Sequence, residues 1–116
     1  MFSGIASVPV LVNDAKKAAK WYEEKFGFET VVQGHWVTVG PKGSQAVIHL
    51  CEKCSDWEND KPGGNTGIYL SCENKEETYR ELKAKGVEFK VELTEAPWAP
   101  GKYAVLKDLD GNEFWM

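Results

Sequence analysis

Residues 8–14 read VPVLVND and residues 68–74 read IYLSCEN, so a short apolar segment that ends in a helix-capping residue occurs twice along the chain. Each copy is followed by a charged stretch whose apolar residues recur at helical spacing, and the two stretches stop at Gly27 and Gly86. An internal repeat of this kind predicts two similar modules. We expect two such modules to pair and to leave a shared cleft between their curved sheets.

The composition is that of one ordinary globular domain. The chain has 116 residues, of which 42% are hydrophobic and 28% are charged, and its net charge is −4 at pH 7. A negative balance disfavours nucleic acid and anionic membrane as partners, since both select clustered Lys and Arg. It is compatible with a cationic ligand.

The sequence also indicates where the protein resides. No apolar run approaches the roughly 20 residues that span a bilayer, and the first residues lack the basic region and long apolar stretch of a signal peptide. The three cysteines are an odd number, which does not suggest a secreted disulfide scaffold. We therefore expect a cytoplasmic protein with reduced thiols.

The first half of the chain predicts the order β-α-β-β-β. Residues 5–12 are rich in β-branched side chains and predict a strand, and Pro9 places that strand at an edge or a bulge because it has no N–H. Asp14 is the expected N-cap of a helix that ends at Gly27. Three antiparallel strands are predicted to follow, at residues 28–33, 35–39 and 45–51.

The second half repeats this order after a long loop at residues 52–65. Asn74 is the expected N-cap of the second helix, and Glu77 stands three residues later as in a capping box. The predicted strands of this half cover residues 66–72, 87–93, 102–107 and 113–116. The sequence thus predicts one α+β domain, residues 1–116, made of module 1 (about 1–51), the loop (52–65) and module 2 (66–116).

Four motifs in a fixed order carry a resemblance to a known superfamily. They are VND at residues 12–14, WYEEKFGF at 21–28, ELKAKGV at 81–87 and DLDGN at 108–112. Together they resemble the vicinal oxygen chelate superfamily, which includes glyoxalase I, extradiol dioxygenases, and the fosfomycin and bleomycin resistance proteins. The resemblance covers nearly the whole chain. It implies two βαβββ modules with mixed, curved sheets that form a cleft, and it implies a homodimer.

The resemblance also implies four metal-ligand positions, which metal-using members place on the first and last strands of each module. In this chain these positions are held by Ser7, His49, Gly67 and Trp115. Only His49 is a good ligand for a divalent metal, since glycine has no side chain and an indole has no lone pair to give. A catalytic metal site needs about three protein ligands. We therefore expect no metal and no other cofactor, assign no catalytic residue, and keep His49 as the one remaining metal candidate.

Aromatic side chains replace the lost ligands. Residues i and i+2 of a strand share a face, and this parity, together with the aromatic residues of one loop, defines the expected ligand-binding set. The set is Ser7, Trp36, His49, Tyr69, Trp98, Tyr103, Glu113 and Trp115. An aromatic-lined, concave surface with a few polar groups is typical of a small-molecule site, and flat aromatic ligands stack on Trp and Tyr rings. Glu113 offers a charge partner to a cationic ligand.

Three functional hypotheses follow. The first is metal-free binding of a small, aromatic molecule, similar to antibiotic sequestration in the bleomycin-resistance branch. The second is a metal-dependent lyase or oxygenase of the glyoxalase or dioxygenase type, with a metal held by His49 and by residues such as Glu113. The third is a dimeric interaction module whose loop residues Trp57 and Trp98 bind a protein.

Two further features carry alternatives. His49 is interpreted as a ligand contact, a structural histidine or a general base. Cys51 and Cys54 have thioredoxin-like spacing but follow a strand rather than open a helix, so we assign them no redox or zinc role.

Overall fold

The computed structural model of the protein describes residues 1–52 and 60–116. The chain divides into two compact units, Met1–Pro62 and Gly63–Met116, which we call module 1 and module 2. Two residues named above, Cys54 and Trp57, lie outside the described residues. Neither of the helices in the described ranges has the length and apolar character that a membrane span requires.

The described part of module 1 contains one helix and four strands. They are β1 (Ser7–Leu11), α1 (Ala15–Phe26), β2 (Glu29–Gln33), β3 (Trp36–Gly40) and β4 (Val47–Cys51). The strands form one sheet in the order β1-β4-β3-β2, in which β1 is parallel to β4 and the other pairs are antiparallel. Strand β1 therefore lies at the edge of the sheet, which confirms the prediction from Pro9.

Helix α1 is held at its beginning by two acidic side chains. Asp14 Oδ1 accepts a hydrogen bond from the Lys17 N–H at 3.0 Å, so Asp14 is the N-cap, as predicted. Glu52 Oε1, just beyond β4, accepts from the Ala15 N–H at 2.9 Å. Because the first turn of α1 contains no acidic residue of its own, Glu52 supplies the negative charge that favours a helix N-terminus.

The core of module 1 lies between α1 and one face of the sheet. Its members are Val10, Val12, Ala18, Ala19, Tyr22, Val37, Val39, Ile48 and Leu50. Burial alternates along β4, where Ile48 and Leu50 are buried and His49 between them is half-buried. Since successive strand residues point to opposite faces, His49 lies on the face turned away from α1. Pro9 of β1 is its partner in register on that face.

Module 2 repeats the architecture of module 1. Its elements are β5 (Gly64–Tyr69), α2 (Lys75–Ala84), β6 (Phe89–Glu95), β7 (Lys102–Lys107) and β8 (Asn112–Trp115). The strand order is β5-β8-β7-β6, with β5 parallel to β8 and the remaining pairs antiparallel. The described residues therefore form two mixed four-stranded sheets with two helices. This arrangement confirms the predicted α+β fold class and the internal repeat.

Helix α2 begins at a cap and is tied to the neighbouring strand by side chains. Asn74 Oδ1 accepts from the Glu77 N–H at 3.0 Å, which confirms Asn74 as the N-cap. Further along the helix, the Tyr79 hydroxyl donates to the Glu92 carboxylate of β6, and Lys83 Nζ lies 3.0 Å from Glu92 Oε1. These two donors lower the pKa of Glu92, with the Tyr79 hydrogen bond as the larger cause.

Strand β5 differs most from the sequence prediction. It was expected at residues 66–72, whereas it begins at Gly64 and ends at Tyr69. Its first residues are already paired with β8, because the Gly63 N–H donates to Asn112 Oδ1 at 2.8 Å and the Gly64 N–H donates to a backbone carbonyl in the turn before β8. The strand boundary is set by these long-range bonds, which no local pattern reveals.

The turn before β8 is organised by one buried carboxylate. Asp108 is 6% exposed, and its Oδ1 accepts from the backbone N–H groups of Asp110 and Asn112 at 2.9 and 2.8 Å. Its Oδ2 accepts from Asn112 Nδ2 at 2.9 Å. The turn thus holds Asn112 where it receives the β5 backbone, and it fixes the start of β8.

Candidate functional site

Four aromatic side chains converge in module 2, and we call them the aromatic cluster: Tyr69, Trp98, Tyr103 and Trp115. Trp115 lies at the centre, since its ring centroid is 5.7 Å from Tyr69, 5.8 Å from Trp98 and 5.7 Å from Tyr103. Trp98 also meets Tyr103 edge-on at 4.4 Å. Ring pairs at these distances attract one another, so the cluster is a mutually supported aromatic surface.

The sheet of module 2 places three of these rings on one face. Trp115 of β8 is opposite Tyr69 of β5 and opposite Val105 of β7. Tyr103 stands two residues before Val105, so it shares that face by strand parity. Val105 itself is only 3% exposed. Phe114, on the other face of β8, is fully buried, which leaves the Trp115 face as the accessible one.

Trp98 joins the cluster from the loop between β6 and β7. The Ala96 N–H donates to the Gly101 carbonyl at 2.9 Å and closes this loop. Trp98 is 55% exposed although it contacts two rings of the cluster, and Tyr69 at the opposite side is equally exposed. The cluster therefore presents aromatic surface to solvent.

Asn65 fixes the edge of the central indole. Trp115 Nε1 donates to Asn65 Oδ1 at 3.1 Å, and the same oxygen accepts from the Gly67 N–H at 2.9 Å. Sequence reasoning placed Asn65 in the loop and missed this contact. The available signal was the order Asn65-Thr66-Gly67, because an Asn side chain often bonds the backbone two residues on.

Gly67 is a glycine for a reason of backbone conformation. Its φ is +74°, and the pairing of β5 with β8 shifts register between Asn65 and Tyr69. A Cβ built on Gly67 would meet nothing within 4 Å, so space does not require glycine here. The left-handed φ does, because L side chains rarely adopt it. The position at which the resemblance implied a metal ligand is therefore a strand irregularity.

Glu113 is already paired within the module. Its Oε1 lies 3.1 Å from Lys90 Nζ, and its side chain is only 12% exposed. The sequence analysis offered Glu113 as a charge partner for a cationic ligand, whereas its carboxylate is balanced by an ammonium group. Lys90 was not among the predicted site residues, since nothing local connects β6 to β8.

Module 1 brings together two of its predicted site residues. The rings of Trp36 and His49 are stacked with centroids 3.7 Å apart and planes inclined at 23°. Trp36 is 45% exposed. Burial lowers the pKa of His49 because it disfavours the charged imidazolium. Ser7 of β1 is half-buried, and by strand parity it shares the face of Pro9, the register partner of His49.

The four family positions do not fit a metal ion. The indole N–H of Trp115 donates to Asn65 and has no lone pair to offer, and Gly67 has no side chain. Ser7 is a weak neutral ligand, which leaves His49. In the described ranges, no group of three or more His, Cys, Asp or Glu side chains is placed to hold a metal ion.

The repeated β-α-β-β-β order defines a two-module α+β protein, and the aromatic cluster lies on the sheet of its second module. A sequence model of the Glyoxalase/Bleomycin resistance protein/Dioxygenase superfamily matches residues 4–116. The chain belongs to this superfamily, as its motifs predicted.

Similar proteins agree with this assignment. The chain is 31% identical to the uncharacterized protein YetH of Bacillus subtilis (strain 168), over 100% of the chain and 98% of YetH. A crystal structure of a superfamily member from Sphaerobacter thermophilus DSM 20745 superposes with a TM-score of 0.85 at 32% identity, covering 98% of this chain and 95% of the other. TnmS3, an antibiotic binding protein from Streptomyces sp. CB03234, superposes with a TM-score of 0.82 at 27% identity, covering 98% and 93%.

Proposed function

We propose that the protein binds a small, flat aromatic molecule at the aromatic cluster and holds it without a chemical step or a metal. The observation that carries the proposal is the position of Trp115, which contacts three other rings on an accessible sheet face. Sequestration needs shape and stacking but no reactive group. TnmS3, an antibiotic binding protein, superposes on this chain with a TM-score of 0.82, which supports binding of a small molecule here.

The energetics favour a flat, neutral ligand. Each aromatic pair contributes roughly 0.5–1.5 kcal/mol beyond area burial, so a ligand that stacks on Trp115 and meets the inclined ring of Trp98 at an angle gains about twice that amount. The apolar area that it covers adds about 25 cal/mol for each Å². A cationic ligand gains less than the sequence suggested, because Lys90 neutralises Glu113.

The proposal is tested by titrating neutral, planar polycyclic probes, such as fluorene and fluorenone, against the protein. Binding is followed by tryptophan fluorescence and by calorimetry. We expect saturable binding, and we expect Trp98→Ala to weaken it about 3- to 10-fold because one stacking partner is lost. Trp98 is the safe variant for folding, since its side chain is 55% exposed in a loop.

The matched control is Trp21→Phe. Trp21 belongs to α1 and packs edge-on against Tyr22 and Phe26, so this variant removes one indole from module 1 and leaves the cluster unchanged. It should bind the probes as the wild type does. The proposal fails if no probe binds saturably, or if Trp98→Ala and Trp115→Phe both bind as tightly as the Trp21→Phe control.

The same preparations separate the other two hypotheses. A metal-dependent enzyme predicts stoichiometric zinc, nickel, iron or manganese in protein purified without chelator, and it predicts that His49→Ala loses that metal. An interaction module predicts a protein ligand for the exposed face of Trp98 and no saturable binding of the planar probes.

We also propose a homodimer. The support for it is the family resemblance, and sedimentation equilibrium tests it directly. A dimer gives twice the chain mass of 13.0 kDa, whereas a single-chain mass at micromolar concentration contradicts it.

A further inference from the structure

One polar side chain lies against the edge of the aromatic cluster. Asn65 is exposed, is opposite Glu113 in the register of β5 and β8, and touches the indole of Trp115. A molecule stacked on the Trp115 ring would have its own edge beside this carboxamide. The orientation of the carboxamide therefore decides which chemical groups the ligand edge meets.

That orientation is fixed by two hydrogen bonds. The Gly67 N–H and Trp115 Nε1 both donate to a single atom of the Asn65 side chain. Because both partners are donors without acceptor capacity, the shared atom must be the carbonyl oxygen Oδ1. The amide nitrogen Nδ2 is then the outward group. Among the hydrogen bonds of residues 1–52 and 60–116, none uses it.

The charged groups near Asn65 also favour a ligand that accepts hydrogen bonds. Glu113, the register partner of Asn65, has its carboxylate bridged to Lys90, whose own side chain is 55% exposed. Beside the amide N–H₂ of Asn65, the more exposed member of this charged pair is the Lys90 ammonium. Both groups donate hydrogen bonds, so this edge favours a ligand with a hydrogen-bond acceptor over a ligand with a donor.

We propose that Asn65 is the specificity-determining residue of the aromatic cluster, and that it selects planar ligands with an acceptor oxygen, such as a ring ketone, on the edge that meets its amide. This inference rests on the proposed function, because it names which aromatic molecules the cluster prefers. Asn65 thereby has two roles. Its Oδ1 positions Trp115, and its Nδ2 donates a hydrogen bond to the acceptor oxygen of the ligand.

The test compares fluorenone with fluorene, which share one planar skeleton and differ by a carbonyl oxygen. The readout is the ratio of their two dissociation constants, measured by calorimetry in the wild type and in Asn65→Asp. The variant keeps an acceptor for Gly67 and Trp115 but has no N–H and repels a carbonyl. Comparing ratios between proteins cancels the difference in hydration of the two probes.

We expect the preference for fluorenone in the wild type to exceed that in Asn65→Asp by about 3- to 10-fold, the range for one net hydrogen bond. Asn74→Asp is the matched control. It adds the same charge and also retains a backbone acceptor, since Asn74 Oδ1 caps α2 through the Glu77 N–H. It should show the wild-type ratio.

Each outcome decides a different point. Equal ratios in the wild type and Asn65→Asp overturn the selection by Asn65, while binding of both probes leaves the proposed function standing. Failure of both probes to bind the wild type overturns both. If thermal unfolding shows that Asn65→Asp is not folded, Asn65→Ala replaces it, because alanine likewise offers no donor to the ligand's carbonyl oxygen. The expected loss of preference is the same.

Discussion

At the scale of single residues, Gly67 shows that a position without a side chain can be required by the backbone conformation. Its φ of +74° belongs to a register shift in β5 between Asn65, which bonds the edge of the Trp115 indole, and Tyr69. The glycine is therefore part of what builds the site, although it offers no group to a ligand.

Gly67→Ala should destabilise the protein by about 1–2 kcal/mol, because an L side chain is strained at this φ although space is free around it. Urea unfolding measures the change. Gly4→Ala is the control, since Gly4 has no positive φ and a Cβ there meets nothing within 4 Å. Equal midpoints for the two variants would show that the backbone at Gly67 is relaxed.

His49 should make stability depend on pH in a defined direction. Burial lowers its pKa in the folded state below the unfolded value near 6.5. As the pH falls, the unfolded state therefore binds a proton before the folded state does. The stability contributed by the neutral His49 imidazole is complete above about pH 6.5 and is lost as the pH falls through the pKa of the folded state. We expect the free energy of unfolding of the wild type to drop more steeply with acidification than that of His49→Gln.

The measurement is urea unfolding at a series of pH values, with an NMR titration of the His49 ring as an independent check. His35→Gln is the control, because His35 is exposed in the turn between β2 and β3. Its pH dependence should follow that of the wild type. Parallel curves for the wild type and His49→Gln would refute the assigned direction.

Part of the site is visible in the sequence and part is not. Strand parity and the aromatic content of β7, β8 and one loop suffice to predict the set that contains Tyr103, Trp98 and Trp115. Asn65 and Lys90 were missed for a physical reason. Asn65 was assigned to the loop because the long-range bonds that start β5 at Gly64 leave no local pattern, and the pairing of Lys90 with Glu113 joins two strands that are not neighbours in the sheet.

At the scale of elements, the beginnings of the two helices were predicted correctly because a cap is a local interaction. Asp14 and Asn74 each accept an N–H from three residues ahead, a spacing that the sequence displays. The start of β5 was predicted too late, since it depends on the Gly63 bond to Asn112 across the sheet. Hydrogen bonds between residues that are close in sequence can therefore be predicted from the sequence, whereas hydrogen bonds between distant residues cannot.

The bond between Glu52 and α1 predicts a graded loss of stability. Glu52→Gln keeps an acceptor for the Ala15 N–H and removes the charge, so it should cost about 0.3–1 kcal/mol. Glu52→Ala removes both and should cost about 1–2 kcal/mol. Chemical denaturation gives both values. Glu29→Gln, at an exposed position of β2, supplies the baseline, and the assignment is wrong if all three variants coincide.

At the scale of the whole molecule, the charge balance predicts how binding responds to salt. The net charge is −4, yet the charged pair nearest the aromatic cluster is internally neutralised. A neutral planar probe should therefore bind with an affinity that changes less than about twofold between about 0.05 and 0.5 M salt. Calorimetry at the two salt concentrations measures it.

A cationic acridine serves as the contrast. It experiences the field of the whole molecule, so its affinity should fall over the same range of salt. A neutral probe that loses affinity as steeply as the acridine would show that a charged group, rather than ring stacking, dominates recognition.

The close approach of Trp98 and Trp115 has an optical consequence. Two indoles with centroids 5.8 Å apart and planes inclined at 59° share their electronic excitation, and such an exciton pair produces a two-signed band in circular dichroism. The size of that band depends on the angle between the two rings, so a ligand that displaces either ring changes the band. The circular dichroism of this indole pair can therefore follow ligand binding without a dye or a label.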